Sequence, residues 1–165
     1  MKIRLAKIND LRPIIDIYNQ AIHAGNATAD LKELTVDERI DWFKEHSENE
    51  YPIYVVEKGN KIIGWGSLSP YRKRREGLKT AAEISYYIDY HYHDLGYGKK
   101  LIAYMINDCK RLGIKNIIAM LLEINELSIL ILEKFGFTKW GFMPNVADIN
   151  GIICGHVIYG KHIYE

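Results

Sequence analysis

Residues 91–105 read HYHDLGYGKKLIAYM, and the fold follows from how Gly96 and Gly98 are read. Upstream, AAEISYYID (81–89) is rich in β-branched and aromatic residues and predicts a strand. Downstream, Leu101, Met105, Cys109 and Leu112 recur on one face of a helix that Gly113 stops. A strand that passes through a glycine turn into a helix aims unpaired N–H groups at one point, and the helix dipole adds partial positive charge there. Such an end is a natural seat for pyrophosphate. Glycines at 96 and 98 would let phosphate oxygens reach the main chain. Lys99 and Lys100 stand in the first turn, where cations disfavour the helix unless an anion is bound. The plainer reading is a turn that needs flexible residues and nothing more.

The two periodicities alternate on both sides of this stretch. KIRLAK (2–7) predicts a short strand, with Asn9 or Asp10 capping a helix that carries Leu11, Ile14, Ile15, Tyr18 and Ile22 on one side. Residues 23–34 predict a loop. Thr35 and Glu38 form a capping box for a second helix ending near Ser47. YPIYVVEK (51–58) and KIIGWGSLS (61–69) predict a hairpin about Gly59-Asn60, followed by a basic loop over 69–80. KNIIAMLLE (115–123) is nearly all apolar, as a strand buried on both faces would be. Asn125 caps a helix that Gly136 ends, and two strands near 137–143 and 152–160 meet at Asn150-Gly151. The order βααβββαβαββ predicts an α+β fold in a single domain over 1–165, with a mixed, mostly antiparallel sheet.

Composition narrows the function classes. Lys plus Arg number 22 and Asp plus Glu 21, for a net charge of +1. That balance gives no electrostatic footprint for nucleic acid. No apolar run approaches the ~18 residues needed to cross a membrane. Cys109 and Cys154 make no CxxC pair, and with no secretory leader they predict reduced thiols in a cytoplasmic protein. Other readings of the glycine turn fall away. A dinucleotide fingerprint needs a third glycine where Leu101 stands, and no GK[ST] phosphate loop occurs. His91 and His93 share one side of an extended chain but lack a third ligand in the sequence, so no metal is expected.

The Gly96-Tyr-Gly98 turn, the strand AAEISYYI before it and NELSILILEKFGF (125–137) after it resemble the GNAT superfamily of acyl-CoA N-acyltransferases. More closely, the chain is similar to the phosphinothricin acetyltransferase branch. That branch's features recur in order over about residues 2–160: a YNQAI…AT segment at 18–29, RIDWF (39–43), GWGSLSPYRKR (64–74), AEISYYI (82–88) and NELS…LEKFGF. Each piece is weak alone, whereas the ordered set is specific. The resemblance implies a sheet split open between the strands ending near Ile88 and near Met120, with acetyl-CoA in the gap.

The residues that would carry the chemistry follow from the same resemblance. The amides of 94 to 99 (Asp94, Leu95, Gly96, Tyr97, Gly98, Lys99), with His93 at the turn's first position, would meet the pyrophosphate. Tyr87 and Ile88 would pair with the pantetheine, and Asn125 and Ser128, matching N-x-x-S, would face its far end. Glu83 stands where the branch keeps a carboxylate and is expected to be the base, directly or through water. A backbone N–H near Ile88 would stabilise the oxyanion. Arg72 and Arg74, with Tyr71, fall at the branch's R-x-R and would grip an amino-acid-like substrate. On composition alone, that loop reads equally as a solvated basic surface. Trp65, Tyr71 and Tyr87 read as pocket walls or as core.

Four positions depart from the pattern: His93 for Gln or Arg, Asp94 for Gly, Leu132 for the usual His or Tyr acid, and Gly155-His156 where an Asp is common. Leucine cannot donate a proton, which leaves Tyr87 or Tyr104 as substitutes or the thiolate leaving unaided. The expected function is therefore transfer of acetyl from acetyl-CoA to a small primary amine, in a homodimer. A coenzyme-binding module with lost catalysis and a protein-amine acetyltransferase are the alternatives.

Overall fold

The computed structural model describes residues 1–163. Seven strands form one sheet: β1 Lys2–Leu5, β2 Ile53–Lys58, β3 Lys61–Pro70, β4 Ala81–Ile88, β5 Asn116–Leu122, β6 Thr138–Ile149 and β7 Ile152–His162. Four helices accompany them: α1 Leu11–Ala24, α2 Val36–Lys44, α3 Tyr97–Asp108 and α4 Glu126–Lys134. The sheet order is β1-β2-β3-β4-β5-β7-β6. All neighbours are antiparallel except β4 and β5. The element order is the one the alternating periodicities predict, and the fold is mixed α+β.

The sheet separates two apolar clusters. On one face, Ile14, Ile17 and Tyr18 of α1 pack with Val55 and Trp65, and with Val36, Ile40, Trp42 and Phe43 of α2. On the other, Leu101 and Met105 of α3 and Leu132 of α4 pack over Tyr54, Ile84, Ile117 and Val157. Full burial of such side chains contributes about 1.5–3 kcal/mol each. Cys109 belongs to this second core. Its thiol donates to the Met105 carbonyl at 3.2 Å, and burial pushes it up to about 12. Cys154 is buried as well, and the two thiols are unpaired.

The decisive feature lies between β4 and β5. Their parallel pairing has three register partners, Ala81 with Asn116, Ala82 with Ile117 and Glu83 with Ile118. Beyond Glu83 the strands part. Ile84–Ile88 keep β3 on one side only, and Ala119–Leu122 keep β7 on one side only.

Local differences from expectation have local causes. The second helix stops at Lys44, not near Ser47, because the His46 imidazole takes the Trp42 carbonyl at 2.7 Å in place of a backbone N–H. Asp10 precedes α1 without capping it. Its carboxylate accepts from the Arg4 guanidinium at 2.7 and 3.0 Å and from the Lys7 amide at 2.7 Å. β6 continues past residue 143 to Ile149, because a bulge between Met143 and Ala147 absorbs the turn-like Pro144-Asn145 without ending the strand. Asn150 and Gly151 have φ of 53° and 90°, the two-residue hairpin turn expected of that pair. A side chain at 155 would run into the Glu123 carboxylate and the Phe142 ring, so at this departure from the family pattern both side chains are packed against a glycine.

Candidate active site

The turn between β4 and α3 is built around Gly96, which takes φ 80° as the residue capping α3. Left-handed backbone of this kind is costly for residues with a Cβ. Asp94 takes φ 60° without being glycine. Among the described residues, no acceptor takes the amides of 94 to 99. Gly98 lies in the first turn of α3 at ordinary helical φ. A Cβ there would meet only Ile88 Cγ1, at a comfortable 3.6 Å. The protein's own packing therefore does not require Gly98, which in a helix costs about 0.5–1 kcal/mol relative to Ala. A group approaching from outside the chain does explain it, and the free amides around it match the needs of a polyanion.

A cleft of about 470 Å³ opens in front of this turn, beside the stretch of β4 that has left β5. His93, Asp94, Gly96, Tyr97, Gly98 and Lys99 line one end. Tyr86, Tyr87 and Ile88 of β4 line a wall, with Asn125 and Ser128 of α4 opposite. Ala21, Ala24, Asn26 and Ala27, at and beyond the end of α1, also line it, as does Lys134 at the end of α4; the sequence reading missed all five. The Leu95 side chain is 58% exposed and not part of the lining, so this residue offers the site its amide alone.

Strand alternation decides which backbone groups face the gap. The Asp89 amide donates to Ile63 at 2.9 Å and the Ala81 carbonyl accepts from Tyr71 at 3.2 Å, so odd-numbered residues of β4 face β3. Even-numbered residues, Tyr86 and Ile88 among them, turn their main chain toward the gap. Ile88 thus presents an N–H there, while its carbonyl is bonded to His93 Nε2 at 2.9 Å. His93 also stacks on Tyr90 at 4.2 Å and so seals the strand end. Tyr87 is paired through its main chain with Trp65 of β3, and only its side chain reaches the cleft. Asn125 Oδ1 accepts from the Ser128 amide at 3.4 Å, which caps α4 and fixes both residues at the cleft wall.

Glu83 stands where the gap closes, opposite Ser69 of β3 and Ile118 of β5. Burial pushes its carboxyl above the usual range, and the charge of Arg72 pulls it part of the way back. Arg72 lies over the Tyr71 ring at 5.2 Å. Arg74 is exposed, with φ 62° and no ion-pair partner among the described residues, so Arg72 alone of the R-x-R pair acts on Glu83. Lys73, between them, pairs with Glu45 at 2.6 Å and ties the loop to the end of α2. Glu83, Tyr71, Arg72 and Arg74 do not line the cleft itself.

Two further features were not foreseen. Trp65 and Tyr87 stand 4.9 Å apart in an aromatic cluster with Tyr18 and Trp42, over which Arg39 lies at 5.7 and 5.3 Å. The odd-residue face of β4 carries Glu83, Ser85 and Tyr87 toward this cluster. Second, Trp65 Nε1 and the Tyr86 hydroxyl are buried without a hydrogen-bond partner. The parity of β4 already separates Tyr86 from Tyr87, and that signal was available in the sequence. Leu132, at the position of the missing acid, is wholly buried in the core. Among the described residues, no group of three or more His, Cys, Asp or Glu is placed to hold a metal ion, and no helix is long and apolar enough to cross a membrane.

The family model of the acetyltransferase (GNAT) domain matches residues 3–158. The chain is 35% identical over 152 residues to a Bacillus subtilis (strain 168) protein provisionally named phosphinothricin acetyltransferase YwnH, covering 92% of each. It is 32% identical over 149 residues to the L-methionine sulfoximine/L-methionine sulfone acetyltransferase of Pseudomonas aeruginosa, covering 88% of this chain and 85% of the relative. The fold superposes with a TM-score of 0.91 on the phosphinothricin acetyltransferase of Sinorhizobium meliloti solved with acetyl-CoA, at 25% identity over 98% of this chain and 88% of that one. With a parted sheet, a free-amide turn and a match over nearly its whole length, this chain belongs to the GNAT acetyltransferase family.

Proposed function

We propose that the chain transfers acetyl from acetyl-CoA to the primary amine of a small amino-acid-like compound. The observation that carries this reading is the row of unbonded amides at 94 to 99, set at the head of a gap that closes on Glu83. Relatives named for phosphinothricin and methionine sulfoximine support the substrate class. Bound acetyl-CoA supplies a thioester carbonyl and a thiol leaving group. The turn holds the diphosphate by main-chain N–H donors and the α3 dipole. Asn125 and Ser128 border the arm that spans the gap. Glu83, ionised, takes the proton of the attacking amine directly or through one water. The gap-facing Ile88 N–H donates to the carbonyl oxygen as negative charge develops there. Arg72 and Arg74, with Tyr71, bind the substrate's acidic group.

The protein is proposed to work as a homodimer in the cytoplasm. Phe142, Met143, Val146, Ile152 and Ile153 are exposed apolar residues of the β6–β7 hairpin, and a second copy packed there would cover some of them. The unpaired thiols accord with a reducing compartment. Sedimentation velocity tests the dimer.

The coenzyme-binding module without turnover is kept as a second reading because Leu132 is core and Asp94 lines the cleft. Mass spectrometry of a panel of amino acids incubated with protein and acetyl-CoA separates the two. Acetylated product supports the enzyme. Thermal stabilisation by acetyl-CoA with every amine unmodified supports the module.

A further inference from the structure

The Tyr86 hydroxyl is buried, unpartnered and part of the cleft wall. Buried hydroxyls normally find a partner, so an unsatisfied one facing a ligand cleft marks a place where the ligand completes it. Tyr86 lies two residues further into the gap than Ile88, toward the vertex at Glu83. An extended arm anchored at the 94 to 99 turn and running along β4 carries its reactive end in that direction. The Ser128 side chain comes close enough to draw the phenol's pKa down a little against burial, but it does not meet the phenol oxygen in hydrogen-bonding geometry. Leucine at 132 cannot donate, and the two tyrosines expected in its place are packed elsewhere. Leu132 is core, Tyr87 packs edge-on against Tyr18 at 5.0 Å, and Tyr104 packs against Tyr54 at 5.6 Å, away from the cleft lining.

We propose that the Tyr86 O–H is the hydrogen-bond donor that holds the negative charge on the departing CoA sulfur; this rests on the acetyltransferase reading above. The C–N bond forms as the C–S bond breaks, and the electron pair of the latter stays on sulfur. The amine proton goes to Glu83 and thence to solvent. Tyr86 keeps its own proton. Burial pushes the phenol up to about 12, whereas a free thiol of this type titrates near ~8.5. Transfer from oxygen to sulfur would therefore run uphill, and the side chain acts as a charge-stabilising donor, not an acid.

The test uses CoA itself and needs no knowledge of the amine. Thiolate absorbance near about 240 nm, referenced to the complex with desulfo-CoA, gives the pKa of the bound thiol, and calorimetry gives the affinity. In the wild-type complex the bound thiol should titrate roughly one unit lower than in Tyr86→Phe, with CoA affinity changed less than about threefold. With acetyl-CoA and any amine found to be a substrate, Tyr86→Phe should lose about tenfold or more in kcat while KM for acetyl-CoA stays within about threefold. Equal thiol pKa values in two proteins that both bind CoA overturn the role of Tyr86 and leave the acetyltransferase reading standing. Failure of the wild type to bind CoA overturns both.

Discussion

Glu83 and Ile118 are the last register pair between β4 and β5, so the carboxylate stands at the point where the sheet divides. Burial holds its pKa above the ordinary glutamate value, and a base works only when ionised. The rate should therefore fall on the acid side with an inflection above the ~4.3 of a free glutamate. Because the folded state binds this proton more tightly than the unfolded chain, Glu83 adds stability at low pH and loses it as pH rises through the folded pKa. Activity and this part of stability thus move in opposite directions across the same window. Glu83→Gln should lower kcat by about 10²-fold and remove the acid limb from the rate profile. A variant with unchanged turnover removes Glu83 from the mechanism.

Gly98→Ala should separate stability from affinity. The new methyl meets only Ile88, in ordinary contact, and alanine is the better helix former by about 0.5–1 kcal/mol. Thermal unfolding should therefore shift upward slightly. Calorimetry should show CoA binding weakened about tenfold or more, because the methyl occupies the space a phosphate oxygen needs. Unchanged affinity would show that the turn does not hold the diphosphate.

Asp94→Gly relaxes a left-handed residue and removes a carboxylate from the cleft lining. Relief of the backbone strain and the added freedom of glycine in the unfolded chain roughly cancel, so stability should change by less than about 1 kcal/mol. CoA should bind about three- to tenfold more tightly in dilute buffer, with the gain shrinking as salt is raised. A salt-independent gain points to backbone relief instead of charge.

Arg72 and Arg74 are two residues apart in sequence, yet only the first exerts its charge on Glu83. Arg72→Ala should move the acid limb of the rate profile to higher pH and raise KM for the amine. Arg74→Ala should leave the limb in place. Steady-state rates across the acid range compare the two, and a limb that moves equally in both variants contradicts the assignment.

The sequence made the architecture readable because each element carries one dominant period. The helical face of Leu101 and Met105 and the hairpin pair Asn150-Gly151 are local signals, and the structure contains both, although α3 ends at Asp108 with Cys109 as its cap and passes to Gly113 through turns. Gly96 was legible for the same reason: a strand, a turn and a helix surround it in sequence. The vertex at Glu83 was not, because the loss of pairing between β4 and β5 is set by strands 35 residues apart at Glu83 and Ile118. The cleft wall from Ala21 to Ala27 comes from a helix on the other side of the sheet, and nothing near the glycine turn announces it. Tyr86 was overlooked beside Tyr87 although alternation sends their side chains to opposite faces. The family pattern draws attention to Tyr87, and both tyrosines line the cleft.

Cys109 and Cys154 both lie sealed inside the folded protein, and the Cys109 thiol resists ionisation well beyond neutral pH. A colorimetric disulfide reagent added to the native protein should therefore find nothing to react with. Every equivalent of colour that develops during turnover then counts one molecule of liberated coenzyme, so the reaction can be followed continuously without blocking or replacing either residue.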